Sequence, residues 1–280
     1  MNTDYRNILV HLDGPDGAAN RLLAGWRIAV DQGAHLAALH AAVPAGLLVP
    51  LGGEGAAVMA EALGQIDLDR RDGSRLAFRA LLRDTRMDAS WGELAGVDAE
   101  DQFIRCAMLA DLVVLGQRDP DAPGLRGMPG PFAEHVLARS GRPCLVVPYA
   151  LPPGGPLARV AIAWKETPEA VRAVVAALPL LRKAVRVDIL TWGGAREPAA
   201  GPLPDLAAWL GTQGVKATGS HMGGDEPHAL GDLLLSRCAD MSADLLVMGC
   251  YGHSRAREWL LGGASRTVLS SMTLPVLMAH

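Results

Sequence analysis

The strongest constraint on this chain's fold is that its sequence is written twice. Asn7-Ile-Leu-Val-His-Leu12-Asp13 opens the first half as a short apolar strand, and Arg159-Val-Ala-Ile-Ala-Trp164-Lys165 opens the second half in the same way. Asp111-Leu-Val-Val-Leu-Gly116 recurs as Asp244-Leu-Leu-Val-Met-Gly249, and Arg142-Pro-Cys-Leu-Val-Val-Pro148 recurs as Leu274-Pro-Val-Leu-Met-Ala-His280. The same three landmarks kept in the same order mean a tandem duplication. Between the copies, Tyr149 to Pro156 is rich in proline and glycine, which stop any regular element. The expected domains are therefore 1–148 and 157–280, joined by a linker over 149–156. With 280 residues, half of them hydrophobic, the chain is long enough to bury two cores.

Within each half, short Val, Ile and Leu runs alternate with amphipathic stretches. In the first half the pattern predicts strands near 8–12, 36–43, 87–91, 112–116 and 144–147, with helices over 18–32, 58–78, 99–110 and 132–140. In the second half it predicts strands near 160–164, 187–191, 216–220, 245–249 and 276–279, with helices over 169–182, 203–213, 227–239 and 263–271. Continuous apolar strands are buried on both faces, and strand–helix alternation implies right-handed βαβ crossovers. The expected fold is α/β: two tandem Rossmann-like domains, each a five-stranded parallel sheet with helices on both faces. A ligand of such a sheet binds beyond the carboxyl ends of the strands, where Gly116 and Gly249 fall. The longer middle segment of the first half, Pro44 to Arg75, reads as a solvated insertion.

The chemistry concentrates in the second half's last βα connection. The apolar run Leu245 to Gly249 empties into Cys-Tyr-Gly252-His253-Ser and then reaches Gly262-Gly263-Ala-Ser265. Glycines bring backbone N–H groups close to an anion, and the following helix N-terminus adds a positive dipole end. The spacing is neither a P-loop nor the dinucleotide fingerprint, since no Gly-Lys-Ser/Thr and no G-x-G-x-x-G is present. It reads G-x-x-G, nine residues, then Gly262. Arg255, Arg257 and Arg266 add positive charge nearby.

Composition narrows the partners. The net charge of −4 and the absence of a Lys/Arg block argue against nucleic acid and against an anionic membrane. With no leader-like opening and no run long enough to span a bilayer, a soluble cytoplasmic protein is expected. Cys106, Cys144 and Cys238 sit in apolar patterns that suit reduced, packed thiols, and Cys250 lies in the glycine loop beside His253 without a second thiol to complete a metal site. No metal site is expected. His11, inside an apolar strand, reads as a packed core residue, and no Ser-His-Asp spacing is evident.

Taken together, these motifs resemble the universal stress protein family in its tandem, two-domain form, over nearly the whole chain. The resemblance implies that an aspartate at the end of the first strand contacts the adenine side of ATP and that the G-x-x-G-x₉-G loop holds the phosphates. Each half matches only part of that equipment. The first half has Asp13 in the aspartate's place, but its loop reads Gly116-Gln-Arg-Asp119-Pro120-Asp121, with carboxylates where phosphates would lie. The second half keeps Gly249, Gly252 and Gly262, while Lys165 replaces the aspartate and Ser265 is the nearest hydroxyl after Gly263. An ammonium at 165 cannot accept a hydrogen from the adenine amino group, although it can pair with a phosphate.

The resemblance implies a nucleotide-responsive stress-response protein without strong catalysis, its ligand being ATP or another adenine nucleotide. The candidate ligand residues are Gly249, Gly252, His253, Gly262, Gly263, Ser265 and Lys165, with Asp13 in the other half. A slow ATPase and a non-binding interaction scaffold are the competing readings. The resemblance further implies an intramolecular pseudo-dimer paired through the last strand of each domain, alone or as a homodimer.

Overall fold

A computed structural model of the chain describes residues 4–49, 55–83, 88–119, 127–128, 130–150, 155–192, 205–221, 229–250 and 263–280. The chain divides into two compact units, one spanning Tyr5–Gly154 and the other containing Gly155–His280.

In the first unit the elements run β1 (Asn7–Leu12), α1 (Ala18–Gln32), β2 (His35–Ala42), α2 (Ala45–Leu48), α3 (Ala56–Arg83), β3 (Ala89–Ala95), α4 (Ala99–Ala107), β4 (Leu112–Gly116), α5 (Phe132–Ser140) and β5 (Cys144–Val147). The strand order is β3-β2-β1-β4-β5, with every pair parallel. Placing β1 and β4 at the centre follows from their composition, since Leu112 to Leu115 are wholly buried and Ile8 to Leu12 nearly so. Helix α1 lies close on β1 because Gly25 faces it: a Cβ there would stand 2.7 Å from Val10 Cγ2. Gly33 ends α1 in the left-handed conformation, φ 63°, and its N–H returns to the Ala29 and Val30 carbonyls.

The second unit repeats the plan with β6 (Arg159–Ala163), α6 (Pro168–Leu181), β7 (Arg186–Thr191), α7 (Leu206–Thr212), β8 (Ala217–His221), α8 (Leu230–Asp240), β9 (Leu245–Gly249), α9 (Gly263–Ser271) and β10 (Val276–Ala279). Its strands follow the same order, β8-β7-β6-β9-β10, again all parallel. A shared staple shows how deep the duplication runs. Asp111, at the start of β4, accepts from the Arg6 and Asn7 N–H groups at 2.8 and 2.9 Å. Asp244, in the same place before β9, accepts from Ala158 and Arg159 at 3.2 and 2.9 Å. Each carboxylate pins the start of one central strand to the next.

Two expectations need correction. Strand β3 runs over Ala89–Ala95 rather than near 87–91, because its sequence, Ala-Ser-Trp-Gly-Glu-Leu-Ala, carries no apolar run and its residues are half-buried or exposed. The middle segment of this unit is not a solvated insertion. Helix α3 has 28 residues, and its Leu63, Ser74 and Phe78 are buried. Phe78 meets Trp91 of β3 with ring centroids 5.5 Å apart, and Gly73 lies so close to Pro15 that a Cβ would come within 3.0 Å of it. Asp67 also accepts from the Ala45 N–H, at 2.9 Å, and so caps the short helix α2. Of the acidic and basic residues that suggested solvation, Asp67 and Arg70 are paired at 3.2 Å and turned inward, while Glu61, Asp69, Asp72, Arg75 and Arg79 are exposed. Among the described residues no helix is long and apolar enough to cross a membrane.

Candidate functional site

In the second unit, β6 and β9 lie side by side, with Ala163 opposite Met248, so their carboxyl ends share one crest. The chain leaves β6 through Trp164, Lys165 and Glu166 and turns sharply, the Thr167 N–H donating to the Lys165 carbonyl at 2.7 Å. Thr167 then caps α6, its Oγ1 accepting from the Ala170 N–H at 3.3 Å, and Pro168 fills the first helical position, where no N–H is needed. The helix therefore begins directly at the crest.

Gly249 closes this geometry. A Cβ at Gly249 would stand 2.5 Å from the Ala170 nitrogen and 2.6 Å from the Glu169 carbonyl carbon, so only glycine lets the first turn of α6 rest on the end of β9. The positive end of a 14-residue helix dipole is thus held against the strand end, with half-buried Lys165 in the loop that feeds it. Glu169 in the same turn is turned toward Arg172, at 3.2 Å. Gly263 begins α9, and Ser265, in its first turn, is 5% exposed. Helix α9 is seated on α8 at Gly231, where a Cβ would meet Thr267 at 2.5 Å. Gly252, His253 and Gly262, with Arg255 and Arg257, lie outside the described residues.

Cys250 is fully buried, and its N–H donates to the Ala279 carbonyl at 3.0 Å. Burial pushes its thiol well above the ordinary range, so it stays protonated and is a poor thiolate ligand. His280 donates from Nδ1 to the Cys250 carbonyl at 3.5 Å.

The first unit treats the equivalent place differently. Asp13 follows β1, as its position in the sequence requires, but its Oδ1 accepts from Arg21 Nη2 at 2.8 Å. Burial alone would raise the Asp13 carboxyl; the Arg21 guanidinium beside it outweighs that and holds it down to about 2. Arg21 also donates to the Asp16 carbonyl at 3.1 Å and lies across Gly116, where a Cβ would come within 3.0 Å of Nη1. Gly127 crosses the neighbouring strand ends: its carbonyl accepts from the Val43 N–H at 2.6 Å, and a Cβ there would meet Asp13 Cβ at 2.8 Å.

Two histidines lie behind Asp13. His11 donates from Nε2 to the Ala41 carbonyl at 3.1 Å, between the rings of Phe103 and Phe132, and burial lowers it to about 4. It is a neutral core residue, as its place in an apolar strand suggested. His40 bonds Ser74 Oγ at 3.2 Å and is likewise lowered by burial.

The structure thus brings Lys165 and Gly249 to one crest and leaves Asp13 in the other unit, already engaged. Arg21 is the residue that sequence reasoning missed. Its signal was present, since Ala18, Arg21, Leu22, Gly25, Ile28 and Ala29 form the buried stripe of α1, and a cation in such a stripe needs an anion facing it.

No protein-family model matches the chain. A universal stress protein of Synechocystis sp. is 26% identical over 182 residues, covering 60% of this chain and 57% of that protein, so the match spans little more than half of the relative's length. Among solved structures, a universal stress protein from Archaeoglobus fulgidus superposes with a TM-score of 0.64 at 14% identity, covering 99% of this chain and 96% of that one. A Pseudomonas aeruginosa protein of unknown function superposes with a TM-score of 0.59 at 15% identity, covering 99% and 93%. The two structural likenesses concern the fold.

Proposed function

We propose, from the premise that this chain belongs to the universal stress protein family in its two-domain form, that its second unit is a sensor site for a phosphate-bearing ligand of the adenine nucleotide class. The observation that carries this reading is the contact at Gly249, which holds the N-terminal turn of α6 on the end of β9 beside Lys165. A helix N-terminus and an ammonium at the carboxyl ends of parallel strands favour an anion. The G-x-x-G-x₉-G spacing of Gly249, Gly252 and Gly262 in the sequence, with Ser265 following it, supports the same reading. Lys165, standing where a base-contacting carboxylate would be, favours the phosphates over the adenine. The protein responds to its ligand rather than turning it over, and ATP, ADP or AMP is the ligand class to test.

Isothermal titration of the full chain with ATP, ADP and AMP tests the reading. One nucleotide per chain is expected to bind, and Gly252→Asp, which puts a carboxylate into the loop, is expected to abolish binding. Absence of both heat and thermal shift with all three would leave the interaction scaffold as the better reading. Phosphate release by the bound complex over hours would favour the ATPase.

A further inference from the structure

At the equivalent strand ends of the first unit, the chain's own side chains are packed together. The carboxyl ends of β1 and β4, the place where an open parallel sheet receives a ligand, hold the Asp13 carboxylate. Over it lies Arg21, 5% exposed, reaching in from the first turn of α1. One guanidinium nitrogen, Nη2, is shared between Asp13 at 2.8 Å and the Asp16 carbonyl at 3.1 Å. A second, Nη1, is packed on Gly116. Among the described residues Nε is buried without a hydrogen-bond partner. Gly127 closes the side facing β2 through its carbonyl bond to Val43.

We infer that the first unit's crevice is a guanidinium site permanently occupied by the chain's own Arg21, which takes the place of an exchangeable ligand and locks this half shut. The chemistry is specific. A planar cation with several donors fits one carboxylate and one carbonyl at a buried strand end, whereas an anion or the acceptor edge of a base would meet Asp13 unfavourably. Gly116 is required because the guanidinium lies on it. An exchangeable ligand is then confined to the second unit. This inference does not depend on nucleotide binding there, since it is read from the stability of first-unit variants.

Three variants of the full chain test it. Arg21→Ala removes the occupant and leaves a half-buried carboxylate without its cation, so the melting temperature is expected to fall by about 5–10 °C. Adding about 20 mM guanidinium chloride is expected to recover several degrees of that loss, relative to sodium chloride at the same ionic strength, with no such gain in the parent protein. Arg21→Met keeps the volume without the charge, and is expected to be destabilised but not rescued. The double variant Asp13→Leu with Arg21→Met, which removes both charges, is expected to be more stable than Arg21→Met alone.

Equal stability of Arg21→Met and the parent overturns the inference. So does a folded Arg21→Ala protein that gains nothing from guanidinium over sodium. If Arg21→Ala does not fold, the double variant decides: better stability than Arg21→Met supports the occupied site, and no improvement overturns it.

Discussion

Gly116 and Gly249 occupy the same place in their units, each the last residue of a central strand, yet each is required for its own reason. At Gly249 the obstacle is the backbone of α6, which cannot move without shifting the helix, while at Gly116 it is the end of the Arg21 side chain. Gly249→Ala is therefore expected to cost about 1–3 kcal/mol or more in urea unfolding, and Gly116→Ala less, because a side chain can shift. His11 carries a pH prediction. Its folded-state value near 4 lies below the ordinary 6.5, so the unfolded chain binds the extra proton. Stability from this group is complete above about pH 6.5 and is lost as pH falls toward 4, on the order of 3 kcal/mol in total. Denaturant midpoints at pH 7 and 4.5 check it: His11→Asn should lose less stability over that interval than the parent does. Asp13 was legible as the residue after the first strand, because its position is local. That it is already paired was not, because the pair needs α1 folded back across the strand end.

Among the elements, the best-read were the strands that are buried throughout and the helices with a regular buried stripe. Strands β4, β5, β9 and β10 and helices α1, α5 and α9 begin and end where the apolar pattern placed them. Strand β3 and helix α3 were misjudged because their burial is sparse: no residue of β3 is fully buried, and α3 buries only Leu63, Ser74 and Phe78, so both share their pattern with solvent-facing sequence. Helix α3 also contains Gly64, where nothing among the described residues approaches within 4 Å of a would-be Cβ. Gly64→Ala is expected to stabilise the protein by about 0.5–1 kcal/mol by restricting the unfolded chain, read as a higher denaturant midpoint. The paired staples give a matched test. Asp111→Ala and Asp244→Ala each remove a carboxylate holding two backbone N–H groups at a partly exposed strand start, and each should cost about 1–2 kcal/mol. A large difference between them would mean that the duplicated contacts carry unequal loads.

For the molecule as a whole, thiol reactivity reports on both cores. Cys144, Cys238 and Cys250 are buried and Cys106 is exposed on α4, where an apolar pattern had suggested a packed thiol. Burial raises Cys238 to about 12 and Cys250 further, so neither forms thiolate readily at neutral pH. Titration of the native protein with a thiol reagent at pH 8 is expected to label one cysteine quickly and all four only after denaturation. A duplicated α/β chain with parallel sheets, and with glycine closing both β4 and β9, was legible in the residue pattern alone. Those features follow from hydrophobic runs, turn residues and repetition, which act over a few neighbouring residues. Only the tertiary structure decided that Arg21 fills the first unit's crevice, that α3 covers the loop after β1, and that α6 rests on Gly249. Those outcomes depend on side chains and backbone brought together from distant parts of each unit, where shape and charge are matched only after the sheet has formed.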